Sequence, residues 1–398
     1  MTIRAQSTPE RLAFADVLRG LAAPTVVFGH FIVLYLQAPQ VVAGITMGEP
    51  IQPVAFPAVI ESLYSIFNLP GIGVAVFFLI SGFVIPLSLD GASVPGYLLK
   101  RLLRIFPTYW AALAIGVAAT YISAAYWSKP VTHTVVDYFA NTFLIADFFG
   151  RLDIISVMWT LQIEVKFYLL APLFHASLRK GSLSRVLLWG AGVVAGYWFA
   201  ISGCESSDVA ACWGRLGFIS RFTWEAAFII YMLIGSVLYA HYRKFISDRQ
   251  TAFGVAFLLG CFAAAVPLSS APALGAVYGL AFFWGLLIFL PFYFFRDRVR
   301  LNPAFQFLAD ISYPLYVVHP LLGYVAMRLM MAAGLPYLVA FPAALALVTG
   351  VAIAIHVYAE APSIALGKRL AGRLSRPSQK TLQPDAAAHA AQRETSPN

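Results

Sequence analysis

The chain reads as an all-α, polytopic bundle of about ten membrane-spanning helices, with its N and C termini cytoplasmic. Three observations predict this. It is 60% hydrophobic and only 11% charged, where a soluble domain carries about 25% charged residues. Its apolar residues fall in blocks near the ~20 residues that a helix needs to cross a bilayer. Lysine and arginine crowd every second connection, which is the positive-inside pattern.

The spans run near 14–36, 63–88, 105–127, 157–178, 185–202, 224–242, 252–268, 273–295, 306–331 and 337–360. The basic connections hold Arg4 and Arg11; Lys100, Arg101 and Arg104; Arg179, Lys180 and Arg185; Arg243, Lys244 and Arg249; Arg296, Arg298 and Arg300; and the tail from Lys368. The opposite connections hold only Lys129, Arg151, Arg215 and Arg221, with Arg328 at a span end. The net charge of +9 thus reflects topology and not nucleic-acid binding. The chain divides into a cytoplasmic segment 1–11, a membrane domain 12–362 and a basic tail 363–398 whose composition predicts disorder. Residues 1–16 lack a short apolar run with a cleavage site, so the first span is expected to persist. There is no P-loop, dinucleotide fingerprint, metal-ligand cluster or visible internal repeat.

The first span, Asp16 to Tyr35, carries Arg19 and His30 in otherwise apolar sequence. Eleven helical steps place both on one face, about 16 Å apart along the axis. Ionisable groups at that depth must face protein or a water-filled cavity. Histidine is the usual proton acceptor near neutral pH, so His30 is a candidate general base; a hydrogen bond to a neighbouring helix is the plainer alternative. In the second span, Ser81-Gly82 reads as a small-residue packing site. Arg101 and Arg104 stand three apart at the entrance to the third span, where their guanidinium forks either anchor the helix or bind phosphate. Glu164 sits in the first turns of the fourth span beside Phe167 and Tyr168, and needs a partner there. It either orients a histidine, as the third member of a triad does, or pairs with an arginine.

Cys204 and Cys212 fall in the connection after span five, as a disulfide or as two thiols. In the ninth span Pro314 and Pro320 are expected to interrupt or bend the helix. Tyr313, Tyr316 and His319 recur there at spacing three and share a stripe, with His319 a second candidate base or donor. His356 and Glu360, four apart in the tenth span, are expected to pair.

The ordered set of an arginine eleven residues before a histidine, then FFLISGF, RLLRIFPTYW, WTLQIEVKFYLLAP, SYPLYVVHPLL and EAP resembles the acyltransferase-3 family of integral membrane acyltransferases. That family includes O-antigen and exopolysaccharide O-acetyltransferases, and the resemblance runs from about Leu12 to Pro362. It implies an acyl-coenzyme A co-substrate, usually acetyl-coenzyme A, approached from the cytoplasm, and no permanently bound cofactor or metal. It implies an acceptor hydroxyl on a glycan or lipid-linked sugar, in a bacterial inner membrane. Arg19, His30, Glu164 and His319 fall on its catalytic positions, with His30 as general base or transient carrier of the acyl group, and Arg101 and Arg104, with Arg19, on the donor-binding ones. Tyr313, Tyr316 and Trp159 are then candidates for contact with substrate. The sequence departs from the family pattern at Ala15, Thr160 and Pro320. A carrier or flippase for a glycan or an anionic substrate is the alternative; it would move its substrate without consuming an acyl donor. A purely structural scaffold would leave Arg19, His30 and Glu164 in oil without a reason.

Overall fold

The computed structural model describes residues 12–51, 58–202, 219–269 and 272–374. The cysteines Cys204 and Cys212, segment 1–11 and most of the tail lie outside the described residues. Each of the ten expected spans is a helix. In chain order the helices are α1 (Ala13–Gln37), α2 (Pro39–Thr46), α3 (Ala58–Phe67), α4 (Leu69–Leu87), α5 (Val94–Tyr126), α6 (Val135–Thr142) and α7 (Met158–Leu178). They continue with α8 (Ser184–Ser202), α9 (Ile219–Tyr242), α10 (Asp248–Leu268), α11 (Pro272–Phe294), α12 (Pro303–Ala332), α13 (Tyr337–Ile355) and α14 (Ala361–Leu374). Among the described residues, eight helices are long and apolar enough to cross a membrane. Two expected spans are not among the eight: α7, which carries Glu164 and Lys166, and α11, whose apolar stretch is Tyr278–Phe294. There is no strand among the described residues, as a bilayer demands of a bundle whose backbone groups must pair within each segment.

Local chemistry sets the helix starts. The Ser93 hydroxyl accepts the Gly96 amide at α5, and Asn302 accepts the Phe305 amide at α12. Asn68 caps α4 in the same way; such caps satisfy amides that the first turn leaves unpaired. The helix α4 is the hub, packed against α1, α7, α9 and α11. It is apolar all round, as a helix buried on every side should be.

The expected packing at Ser81-Gly82 is present. Gly82 lies directly on the Met232 carbonyl of α9 and faces Gly235, whose own open side meets the α4 backbone. The Ser236 hydroxyl then donates to the Gly82 carbonyl at 2.9 Å. Only paired glycines let two backbones approach this closely, which is the small-residue device of membrane helices.

Three expectations need correction. Pro314 and Pro320 do not interrupt α12, which runs unbroken from Pro303 to Ala332, because tight packing against α1 and α13 compensates the lost amides. The third span starts well before residue 105, so Arg101 and Arg104 lie inside α5 and not in a loop before it. The tail is not irregular from residue 363: α13 passes through a π turn, His356–Glu360, into α14, which packs on α5. The expected pair within that turn is formed, His356 Nδ1 to Glu360 Oε2 at 2.8 Å.

A Gly82→Val substitution should drive α4 and α9 apart and destabilise the fold by about 3 kcal/mol. Size-exclusion profiles and thermal unfolding of the purified protein check this; unchanged stability would mean that the two helices do not meet here.

Candidate active site

Helices α1, α4, α5, α7 and α12 enclose a cavity of about 750 Å³ that reaches solvent. Its polar lining is Arg19, Arg101, Arg104, Glu164, Ser81, Tyr168, Ser312 and Tyr313. Arg101 is buried, its guanidinium stacked between the rings of Tyr97 at 5.7 Å and Tyr168 at 5.5 Å. Neither Arg101 nor Arg104 makes an ion pair among the described residues. Arg19 bonds Asp16 at 3.3 Å and lies within electrostatic reach of Arg104, Glu164 and Arg101. Glu360 adds a buried carboxylate near Arg104 and Arg19.

Glu164 takes a proton donor from each of two helices. The Ser81 hydroxyl donates to its Oε1 at 3.0 Å, and the Tyr168 hydroxyl donates to the same oxygen at 2.8 Å. Position Ser81 therefore does more than pack: it supplies a hydrogen bond to a part-buried carboxylate of the cavity wall.

His30 does not line this cavity. It opens a π turn, Gly29–Leu34, within α1, a local irregularity that recurs at functional sites. It faces a second cavity of about 500 Å³ with Trp159, Ser156, Pro70 and Tyr278. Val74 and Tyr316 line both cavities, and so form the partition between them. The Tyr316 hydroxyl is held by Thr160 at 2.8 Å.

The expected role of Glu164 in orienting His30 is not what the geometry provides. The Nδ1 of His30 meets Nε2 of His319 at 2.9 Å, and Nδ1 of His319 meets the Leu315 carbonyl at 3.1 Å. A carbonyl only accepts, so Nδ1 of His319 must carry a proton. Neutral His319 then accepts at Nε2, and His30 must donate from Nδ1. The lone pair of His30 is thereby fixed on Nε2, which has no protein partner among the described residues. His319 stands where a triad carboxylate would stand, and does the same tautomer-fixing work without a charge. Pro320 has no amide to offer the Tyr316 carbonyl, and His319 interacts with that carbonyl as well.

Of the residues singled out from sequence, Arg19, Arg101, Arg104, Glu164 and Tyr313 meet in the first cavity. His30 and Trp159 meet in the second, Tyr316 joins the two, and His319 lies behind His30. Tyr313 spends its hydroxyl on the Ile105 carbonyl at 3.0 Å. The sequence reading missed the liganding role of Ser81, the latch at Thr160 and the partition residue Val74. Ser81 carried a signal, a hydroxyl in an apolar helix; Val74 carried none.

The comparisons bear on this arrangement. The family model described as an acyltransferase domain matches residues 12–357, across all the helices that line both cavities. The chain belongs to the acyltransferase-3 family. It is a multi-pass membrane protein built on an acyltransferase domain. It is similar to nodulation protein 10 of Rhizobium leguminosarum bv. viciae, 30% identical over 124 residues, 27% of this chain and 33% of that protein. The match thus spans a third of the length of that relative. It is also similar to ORF330 of Acidianus two-tailed virus, named as a candidate acetyltransferase, 26% identical over 266 residues, 65% of this chain and 74% of that protein. No solved structure matches.

Ser81→Ala and Tyr168→Phe should each destabilise the protein by about 1–3 kcal/mol, because each leaves the part-buried Glu164 carboxylate one donor short. Adding Glu164→Gln to either should recover part of the loss. A thermal-unfolding double-mutant cycle reads this directly, and additive effects would deny the coupling.

Proposed function

We propose that this chain is a bacterial inner-membrane O-acyltransferase. It moves an acyl group, acetyl in the first instance, from cytoplasmic acyl-coenzyme A to a hydroxyl of a glycan or lipid-linked sugar. The observation that carries this reading is the pair of adjoining cavities, one cationic and one holding a histidine with a fixed lone pair, with Val74 and Tyr316 in the wall of both. Arg101 and Arg104 make no ion pair among the described residues and suit the phosphates of coenzyme A; Arg19 lies beside them. The positive-inside pattern places them toward the cytoplasm, where acyl-coenzyme A is found.

The chemistry then follows from the histidine pair. With the thioester carbon brought past Tyr316 into the second cavity, the acceptor hydroxyl lies at Nε2 of His30. As its oxygen attacks the thioester carbonyl, its proton passes to Nε2. The tetrahedral intermediate collapses by breaking the carbon–sulfur bond, and the departing thiolate takes that proton back. His319 holds the imidazole through Nδ1 throughout. Glu164 balances the arginines and stays out of the proton path. The membrane domain 12–362 is the catalytic unit, and both termini are cytoplasmic.

The test is coenzyme A release from acetyl-coenzyme A by purified protein in liposomes, with and without cell-envelope glycan. His30→Ala should lower turnover by about 10²- to 10⁴-fold in protein that still folds and elutes normally. His319→Ala should cost about 10- to 100-fold, as loss of an orienting partner does. Arg104→Gln should raise the KM for acetyl-coenzyme A before it lowers kcat. Glycan movement across the bilayer with no coenzyme A release would replace this reading with a carrier.

A further inference from the structure

Arg328 is the most anomalous residue in the molecule. Its side chain is buried, 2% exposed, and none of its three guanidinium nitrogens has a hydrogen-bond partner among the described residues. One more buried donor beside it is also unpartnered there, the Trp127 indole N–H. The guanidinium lies 5.8 Å from the Trp127 ring. Gly48, just past α2, is where these groups converge: a side chain there would press on Trp127 Nε1 at 3.0 Å and on Arg328 Nε at 3.1 Å. Glu49, the one carboxylate within electrostatic reach of Arg328 among the described residues, is ion-paired to Lys129 at 2.5 Å.

Four donor nitrogens and a formal positive charge held together without an acceptor are costly in a bundle, and the contact with Trp127 offsets only part of that cost. The whole set lacks one thing, a group with several acceptor oxygens and a negative charge. It is not the donor cavity: Trp127 ends the helix in which Arg101 sits near the start, about 39 Å away along the axis. It does lie along α12 from the histidine pair. The Tyr324 ring is 6.4 Å from that of His30, and Arg328 is one turn further on, so the guanidinium stands on the order of 12 Å from the imidazole.

We infer that Arg328 and Trp127, beside Gly48, form a second anion site that binds a carboxylate or phosphate carried by the acceptor, one or two sugar units from the hydroxyl that is acylated. The fork of Arg328 takes two oxygens, and the indole donates to the same group. The anion site itself stands on the buried donors; its assignment to the acceptor rests on the acyl-transfer reading above.

Thermal unfolding of the full chain in nanodiscs tests it, with a glucuronate-containing disaccharide, inorganic phosphate or neutral cellobiose added at constant ionic strength. The wild type should gain stability with the disaccharide acid or with phosphate and none with cellobiose; the stronger of the two names the source of the oxyanion. Arg328→Met should unfold at the same temperature as the wild type or higher without ligand, because an unpartnered buried charge has gone, and should lose the anion response. Trp127→Phe, which keeps the ring and drops one donor, should weaken that response. Arg104→Gln should retain it, which separates this site from phosphate bound in the donor cavity. A lower unfolding temperature for Arg328→Met together with an undiminished anion response would overturn the proposal, since Arg328 would then be structural. So would a wild type indifferent to both anions. In the coenzyme A assay, Arg328→Met should lose about tenfold or more in kcat/KM for a glucuronate-bearing acceptor. An Arg328-dependent stability response from a protein that releases no coenzyme A with any acceptor would uphold the anion site and overturn the acyl-transfer reading alone.

Discussion

Charge buried in a helical bundle has to find its partners inside the protein, and this constraint explains where the site is. Glu164 sits among apolar residues of α7 and is held by Ser81 from α4 and Tyr168 from its own helix. Arg19 is tied to Asp16 on α1, and Arg101 is wedged between two tyrosine rings. These contacts draw α1, α4, α5 and α7 around one polar cavity. Away from it, Lys166 of α7 meets Asp147 at 2.5 Å and Glu225 of α9 at 2.6 Å, which fixes the outer face of α7 by the same logic.

On the acyl-transfer reading, the arrangement would separate two tasks that conflict in one space: a multiply charged donor wants cations, whereas a neutral histidine base wants none beside it. The arginines line one cavity and His30 the other, with Val74 and Tyr316 common to both. A carboxylate behind His30 would place a further charge in the bundle. Neutral His319 fixes the tautomer through one hydrogen bond and one backbone carbonyl.

Much of this was legible in the chain. Ten apolar blocks became ten helices, since backbone pairing inside lipid leaves a long apolar segment little other choice. Arg19 and Glu164 declared themselves by standing in oil, Arg101 and Arg104 by their spacing at a span entrance, and Gly82 was recognisable as a close helix contact. What misled was local reasoning about non-local facts. The role given to Glu164 came from analogy with a triad, whereas His30 finds its partner 289 positions away. Pro314 and Pro320 suggested an interrupted or bent helix, and α12 is not interrupted: it continues through both, packed between α1 and α13. Arg328 read as a charge at a span end, and its burial against Trp127 depends on how α2, α5 and α12 meet.

The sequence by itself determined the helical class, the spans and which side chains are too expensive to sit in lipid, because hydropathy and the cost of buried charge are properties of each segment. The tertiary structure alone decided which of those side chains share a cavity, which histidine nitrogen keeps its lone pair and which cation goes without a partner. Those outcomes depend on the rotation and depth of each helix against its neighbours, set by contacts such as Gly82 on Gly235 and His30 on His319 between residues far apart in the chain.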